Sequence, residues 1–83
     1  MRITYDASVD AAYIYVVDRI GAGAVQKTYP CETDGINGSI NLDFDASRHL
    51  LGIEILGAKS VLPAEVLMKA DSLATHDLSK TNR

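Results

Sequence analysis

The chain has 83 residues, of which 47% are hydrophobic and 23% are charged, and its net charge is −3. This length allows one domain, and the composition excludes general disorder and low complexity. The single cysteine, Cys31, excludes a disulfide framework within the chain and a zinc site built from several cysteines. No apolar run approaches the roughly 18 residues of a membrane helix, and Met1 to Asp6 lack the apolar stretch of a signal peptide. We therefore expect a small cytoplasmic domain.

The charges are unevenly distributed along the chain. Residues 1–58 hold four bases and eight acids, a net charge of −4, whereas residues 59–83 hold four bases and three acids, a net charge of +1. Binding to a polyanion requires Lys and Arg clustered on one face, and the sequence contains no such cluster. The chain is therefore predicted not to bind nucleic acid.

The N-terminal half of the chain predicts three short strands. Apolar and polar residues alternate around residues 3–5, and the Asp- and Ser-containing segment 6–10 favours a turn. Residues 11–17 are apolar throughout, which predicts a central strand with both faces covered. A third strand over residues 25–29 should stop, or run along an edge, at Pro30, because proline has no amide N–H to donate.

The C-terminal half predicts a hairpin followed by one helix. Residues 39–45 alternate strictly between apolar and polar, and residues 50–56 form the returning strand. The apolar spacing then becomes helical over residues 63–73, whereas residues 74–83 are polar and predicted to be frayed. The fold class is therefore α+β: a sheet of about five mostly antiparallel strands in a meander, with one C-terminal helix packed on one face. Residues 1–73 form the predicted domain.

The strand over residues 11–17 also supplies the interface candidates. Tyr13, Tyr15 and Val17 share one face at a two-residue spacing, and aromatic side chains are enriched in interface cores. Packing within the sheet is the competing explanation for the tyrosines. Because so short a chain has little core, we predict a homo-oligomer, most simply a dimer.

The acidic hairpin contains the only candidates for a metal site, and they form a weak set. Asp43, Asp45 and Glu54 could converge on a hard cation, but Arg48 stands where a calcium loop needs glycine. A solvated strand face is the simpler interpretation. We therefore predict no metal ion, no cofactor and no catalytic residues.

The cysteine and histidines add no further chemistry. Cys31 has no adjacent helix start to lower its pKa, and His49 and His76 lie 27 positions apart without a metal-binding pattern. The chain is accordingly predicted not to be an enzyme.

Four short motifs resemble a known family. They are Ile3-x-Tyr5-Asp6, Asp10-Ala11-x-Tyr13-Ile14, Ile40-Asn41-Leu42-Asp43-Phe44-Asp45 and Leu51-Gly52-Ile53-Glu54-Ile55-Leu56. Together they resemble the small bacterial family called domain of unknown function 2283, over about residues 1–67. The segment Gly57-Ala58-Lys59-Ser60 departs from the acid, Ala and Ser that members often carry there. The resemblance implies a compact sheet with a C-terminal helix, and it implies no reaction.

Three functional hypotheses follow from these observations. The first is a non-catalytic domain that acts through protein contacts, most simply by self-association. The second is an antitoxin-like partner of a small neighbouring protein, because some members of the family resemble partners in two-gene modules. The third is a small-ligand or divalent-cation site at the acidic hairpin.

Overall fold

A computed structural model describes residues 1–73, which form one six-stranded sheet and two short helices. The elements, in chain order, are β1 (Arg2–Asp6), β2 (Ala11–Tyr15), β3 (Lys27–Pro30), β4 (Ser39–Phe44), β5 (Leu50–Leu56), α1 (Ala58–Val61), α2 (Ala64–Lys69) and β6 (Asp71–Ser72). The α+β class is confirmed. The predicted tail, residues 74–83, lies outside the described residues.

The sheet is not a simple meander. Its strand order is β3-β4-β5-β2-β1-β6, so the β1–β2 hairpin and the β3–β4–β5 meander join through β2 and β5. All neighbouring strands are antiparallel except β6, which runs parallel to β1. The prediction of five strands in a meander is therefore wrong in strand order and lacks the two-residue β6. The predicted edge position of Pro30 agrees with β3, which is the outermost strand.

The single helix predicted over residues 63–73 is shorter, α2 over Ala64–Lys69, and an additional helix, α1, precedes it at Ala58–Val61. Gly57 precedes α1 with a positive φ of 70°, and Leu62 is extended after α1. Extended geometry at Leu62 follows from Pro63, because a proline ring disfavours helical geometry in the preceding residue. Helix α2 then ends at Lys69, and Ala70 is extended, which directs the chain into the pairing of β6 with β1.

Both helices pack on the same face of the sheet, which we call the helix-side face. Ala12, Ile55 and Ala58 form the buried cluster there, and Val61, Leu62 and Leu67 from the helical region pack against it. Among residues 1–73, the buried hydrophobic side chains are those of Ala12, Leu51, Ile55 and Ala58. The core is therefore thin, as expected for a single sheet under a small helical layer.

Asp10 attaches the helical layer to the sheet. It has a φ of 53°, a left-handed conformation that aspartate tolerates better than most residues. Its carbonyl oxygen accepts the N–H groups of Gly57 and Ala58, each at 3.0 Å. Its carboxylate accepts the Tyr5 hydroxyl at 2.7 Å and the Lys59 N–H at 3.0 Å. One residue in the β1–β2 turn thereby satisfies three backbone donors at the start of α1.

Neither helix within residues 1–73 is long and apolar enough to span a membrane.

Candidate functional site

The face of the sheet opposite the helices, which we call the open face, carries an ordered row of side chains. The strand register aligns one residue from each of five neighbouring strands in this row: Arg2, Tyr15, Gly52, Asp43 and Thr28. A second row contains Thr4, Tyr13, Glu54, Asn41 and Pro30. Because side chains alternate along a strand, both rows point away from the buried cluster on the helix-side face.

Tyr13 and Tyr15 form the centre of the open face. Their ring centroids lie 4.8 Å apart at an interplanar angle of 64°, which is an edge-to-face contact. The Tyr13 ring lies over Gly52, where an added Cβ would collide with Cε2 and the hydroxyl oxygen of the ring. Glycine at position 52 therefore makes room for Tyr13 to cross from β2 toward β4.

Asp43 fixes the far end of the Tyr13 ring. The Tyr13 hydroxyl donates to Oδ2 of Asp43 at 2.6 Å, and the Thr28 hydroxyl donates to Oδ1 at 2.7 Å. Burial, followed by the hydrogen bond to the Asp43 carboxylate, raises the pKa of Tyr13 far above its usual value of about 10. Tyr13 therefore stays protonated at neutral pH and serves as a hydrogen-bond donor rather than a base.

Charged side chains lie at several positions across the open face. Arg2 on β1 stacks over the Tyr15 ring, with its guanidinium carbon 3.8 Å from the ring centroid. Glu54 on β5 accepts the side-chain N–H of Asn41 at 3.0 Å, and Asp43 lies one strand further on. Arg2 therefore places a positive charge on β1, and Glu54 and Asp43 place negative charges on β5 and β4. Asp6 at the end of β1 and Asp71 on β6 add negative charges on the Arg2 side of the same face.

Thr4 lies directly opposite Tyr13 in the register and is only 3% exposed. Its Oγ1 has no hydrogen-bond partner among residues 1–73. A buried hydroxyl without a partner costs folding free energy, because it has lost its hydrogen bonds to water. The open face therefore contains one unfavourable polar group beside its aromatic centre.

The predicted interface residues do not all share this face. Tyr13 and Tyr15 lie side by side on it, half buried, as the two-residue spacing indicated. Strand β2 ends at Tyr15, however, so the predicted strand over residues 11–17 is two residues too long. Val17 lies in the bend that follows and does not continue the strand face.

The three acidic candidates of the hairpin have separate partners. Asp43 binds Tyr13 and Thr28, and Glu54 binds Asn41. Asp45 lies beyond the end of β4, in the turn. Among residues 1–73, no group of three or more His, Cys, Asp or Glu side chains is close enough to hold a metal ion.

Asp45 organises the β4–β5 turn. Its Oδ1 accepts the N–H groups of Ser47 and His49, both at 2.9 Å, and its Oδ2 lies 3.6 Å from the Nδ1 of His49. The hydrogen bond from the His49 N–H is the main cause that lowers the pKa of the Asp45 carboxyl. This carboxylate therefore shapes a loop.

The cysteine and the two histidines considered above are not part of the open face as the structure describes it. Cys31 is half buried after the end of β3, and its N–H donates to the Ile40 carbonyl at 2.8 Å. His49 is highly exposed in the β4–β5 turn. His76 lies outside the described residues.

Arg2 and Thr28 belong to the open face, although no sequence pattern indicated a role for either residue. Tyr13 and Asp43 are 30 positions apart, and they meet only because β5 separates β2 from β4. One feature of the sequence points to this contact: Gly52 stands between two apolar residues of β5, and a glycine within a strand often marks a place where another group approaches closely.

The residues of both rows of the open face lie within the segment that matches a known protein family. The model of the family described as protein of unknown function, DUF2283, matches residues 2–59, which span β1 to β5 and the start of α1. No curated protein and no solved structure matches the chain. The match covers well over half of the 83 residues, so the chain belongs to the DUF2283 family.

Proposed function

We propose that this chain is a non-catalytic domain that forms a homodimer through its open face. The thin core carries the proposal: among residues 1–73, four hydrophobic side chains are buried, and both helices cover the same face. The aromatic centre formed by Tyr13 and Tyr15 lies on the opposite face. A second copy would remove this centre from water and add the apolar burial that a small domain lacks.

The position of Arg2 relative to Glu54 suits a two-fold interface, in which each copy presents the same surface to the other. A two-fold axis in the interface plane, running along β2, places β1 of one copy over β5 of the other. Arg2 and Glu54 lie on strands two spacings apart, about 10 Å. The Arg2 guanidinium of each copy then lies over β5 of the other, the strand that carries Glu54, and this contact between opposite charges occurs twice.

The shape of the molecule also supports face-to-face contact. Its principal extents are 34 × 33 × 18 Å, so its broad faces are much larger than its edges. A specific interface buries about 800 Å² on each partner, which one broad face of this size can supply.

Pairing through the sheet edges is the less favourable alternative. Edge strand β3 has four residues, all exposed, and contains Lys27 and Pro30. Lysine and proline are common devices that prevent edge strands from pairing with other chains. The other edge strand, β6, has only two residues.

Sedimentation equilibrium with a charge-swap series tests the dimer. Arg2→Glu and Glu54→Lys should each weaken the dimer by about tenfold or more, because each brings like charges together. The double variant should recover most of the affinity, since it restores opposite charges. Arg19→Glu is the matched control, because Arg19 is exposed in the loop after β2 and should leave the dimer unchanged.

Two results would overturn the proposal. One is a monomeric wild-type chain at a concentration of about 100 μM, which corresponds to a very weak interface. The other is a dimer whose dissociation constant does not respond to either single substitution.

The antitoxin-like hypothesis remains a prediction, and it predicts an opposite effect of Arg2→Glu on binding affinity. An acidic face that masks a basic protein should bind it more tightly after Arg2→Glu, because the substitution removes a positive charge. Measuring self-association and capture of a basic partner on the same variants therefore separates the two hypotheses.

A further inference from the structure

The helical layer leaves part of its own face uncovered. Helices α1 and α2 pack over Ala12 and Ile55, toward the centre of the sheet. At the β3–β4 end of the same face lies a cleft of about 700 Å³, bordered by both strands and by the β4–β5 turn. This volume is within the range of small-molecule sites.

An aromatic pair forms the floor of the cleft. Tyr29 and Phe44 have ring centroids 5.6 Å apart at an interplanar angle of 76°, in an edge-to-face contact. Tyr29 is 52% exposed although it contacts Phe44. An exposed, laterally supported ring is suited to stacking against a flat ring of a ligand.

Two cations border the aromatic pair. Lys27 and Arg48 both line the cleft, and neither forms an ion pair within residues 1–73. Asp45 also lines it, but both of its oxygens are directed into its own turn, toward Ser47 and His49. The cleft thus presents two available positive charges on a chain whose net charge is −3.

Gln26 adds a hydrogen-bonding group at the cleft. Its side-chain nitrogen donates to the Gly23 carbonyl at 3.0 Å, which fixes the orientation of the amide. Its side-chain oxygen retains its capacity to accept a hydrogen bond, for example from an amino group.

We propose that this cleft binds a 5′-mononucleotide. The base stacks on Tyr29, the phosphate lies between Lys27 and Arg48, and the Gln26 amide contacts the edge of the base. A mononucleotide carries a flat base and an anionic phosphate in one small molecule. The base can stack on the exposed aromatic ring, and the phosphate can bind the two cations. The cleft and the open face are on opposite sides of the sheet, so this site is independent of the proposed dimer.

Calorimetric titration with AMP tests the site, with adenosine and inorganic phosphate as separate probes. AMP should bind with a dissociation constant below about 1 mM, and each fragment should bind about tenfold more weakly or worse, because each makes half of the contacts. Similar affinity for phosphate and AMP would mean that only the anion is recognised. That result would overturn the nucleotide assignment.

Two variants connect the binding to the cleft. Arg48→Gly suits the position, because Arg48 has a φ of 69° that glycine adopts without strain, so the fold should be retained. It should weaken AMP binding about tenfold, and Tyr29→Thr should do so by a similar factor. Arg19→Gln removes an exposed charge away from the cleft and is the control. Unchanged AMP affinity in both cleft variants, or no saturable binding to the wild type, would overturn the proposal.

Discussion

The two faces of the sheet are built from alternate residues of the same strands, yet different forces hold them. On the helix-side face, Ala12, Ile14 and Ile55 pack with the helices by apolar contact. On the open face, Tyr13 is held by the Asp43 carboxylate and by the space above Gly52. The helix-side face is stabilised by burial, whereas the open face is stabilised by directional contacts that leave its aromatic rings accessible. The two faces of one small sheet can therefore be held by different kinds of contact.

The largest effect should come from the helix-side face. Ile55→Ala removes a large side chain that is 3% exposed, and it should lower the free energy of unfolding by about 3 kcal/mol. Leu56→Ala is the control from the adjacent position on the other face, where Leu56 is 39% exposed, and should cost less than about 1 kcal/mol. Urea denaturation at one fixed protein concentration measures both, because dimerisation would add to the apparent stability. Equal losses would contradict the contrast between the faces.

Gly52→Ala should produce the next largest effect. The added methyl group must displace the Tyr13 ring from Asp43, at a cost of about 2 kcal/mol. Gly21→Ala is the matched control, because nothing lies within 4 Å of a Cβ there. In a double-mutant cycle with Tyr13→Ala, the cost of Gly52→Ala should largely disappear. A fully additive cycle would show that the two residues are not coupled.

Thr4→Val should have a smaller effect, of opposite sign. Valine has nearly the same shape and removes the buried hydroxyl that lacks a partner, so we expect a gain of about 1 kcal/mol in thermal or urea unfolding. Thr28→Val is the comparison: its hydroxyl donates to Asp43, so its removal should give no gain. A loss of stability in Thr4→Val would indicate that the hydroxyl does have a partner in solution.

Tyr13→Phe should have the smallest effect at neutral pH, a loss of about 1 kcal/mol from the missing hydrogen bond. Its pH dependence is more informative. The folded pKa of Tyr13 is raised above the unfolded value of about 10, so its contribution is present below pH 10 and is lost as the pH rises beyond it. The wild type should therefore lose stability with alkali more steeply than Tyr13→Phe, and the two curves should converge. Parallel curves up to pH 11.5 or so would contradict the assigned hydrogen bond.

The elements with strong local patterns could be predicted from the sequence. The strict alternation of residues 39–45 corresponds to β4, because a half-buried antiparallel strand requires that period, and the predicted returning strand over residues 50–56 is β5. Strand β6 could not be predicted in this way. Asp71 and Ser72 have no apolar pattern, and they pair with β1 because the chain leaves α2 in an extended conformation.

Non-local pairing accounts for most of the remaining differences. The sequence shows that Tyr13 and Tyr15 share a face, but the position of Asp43 beneath the Tyr13 hydroxyl depends on β5 lying between β2 and β4. Short strands of similar composition permit several orders, so the strand alternation does not determine this contact. The cleft was missed for the same reason: Tyr29 and Arg48 become neighbours only through the β3–β4 pairing and the shape of the following turn.

The pairing of β2 with β5 also determines how the chain can fold. Each half of the sheet is local in sequence, but joining them closes a loop that runs from the end of β2 at Tyr15 to the start of β5 at Leu50. Closing so long a loop costs conformational entropy before any contact compensates for it, which slows folding. Asp10 can accept the Gly57 and Ala58 N–H groups only after this closure. The β2–β5 pairing is therefore the step that joins a marginal hairpin and a marginal meander into one cooperatively folding sheet.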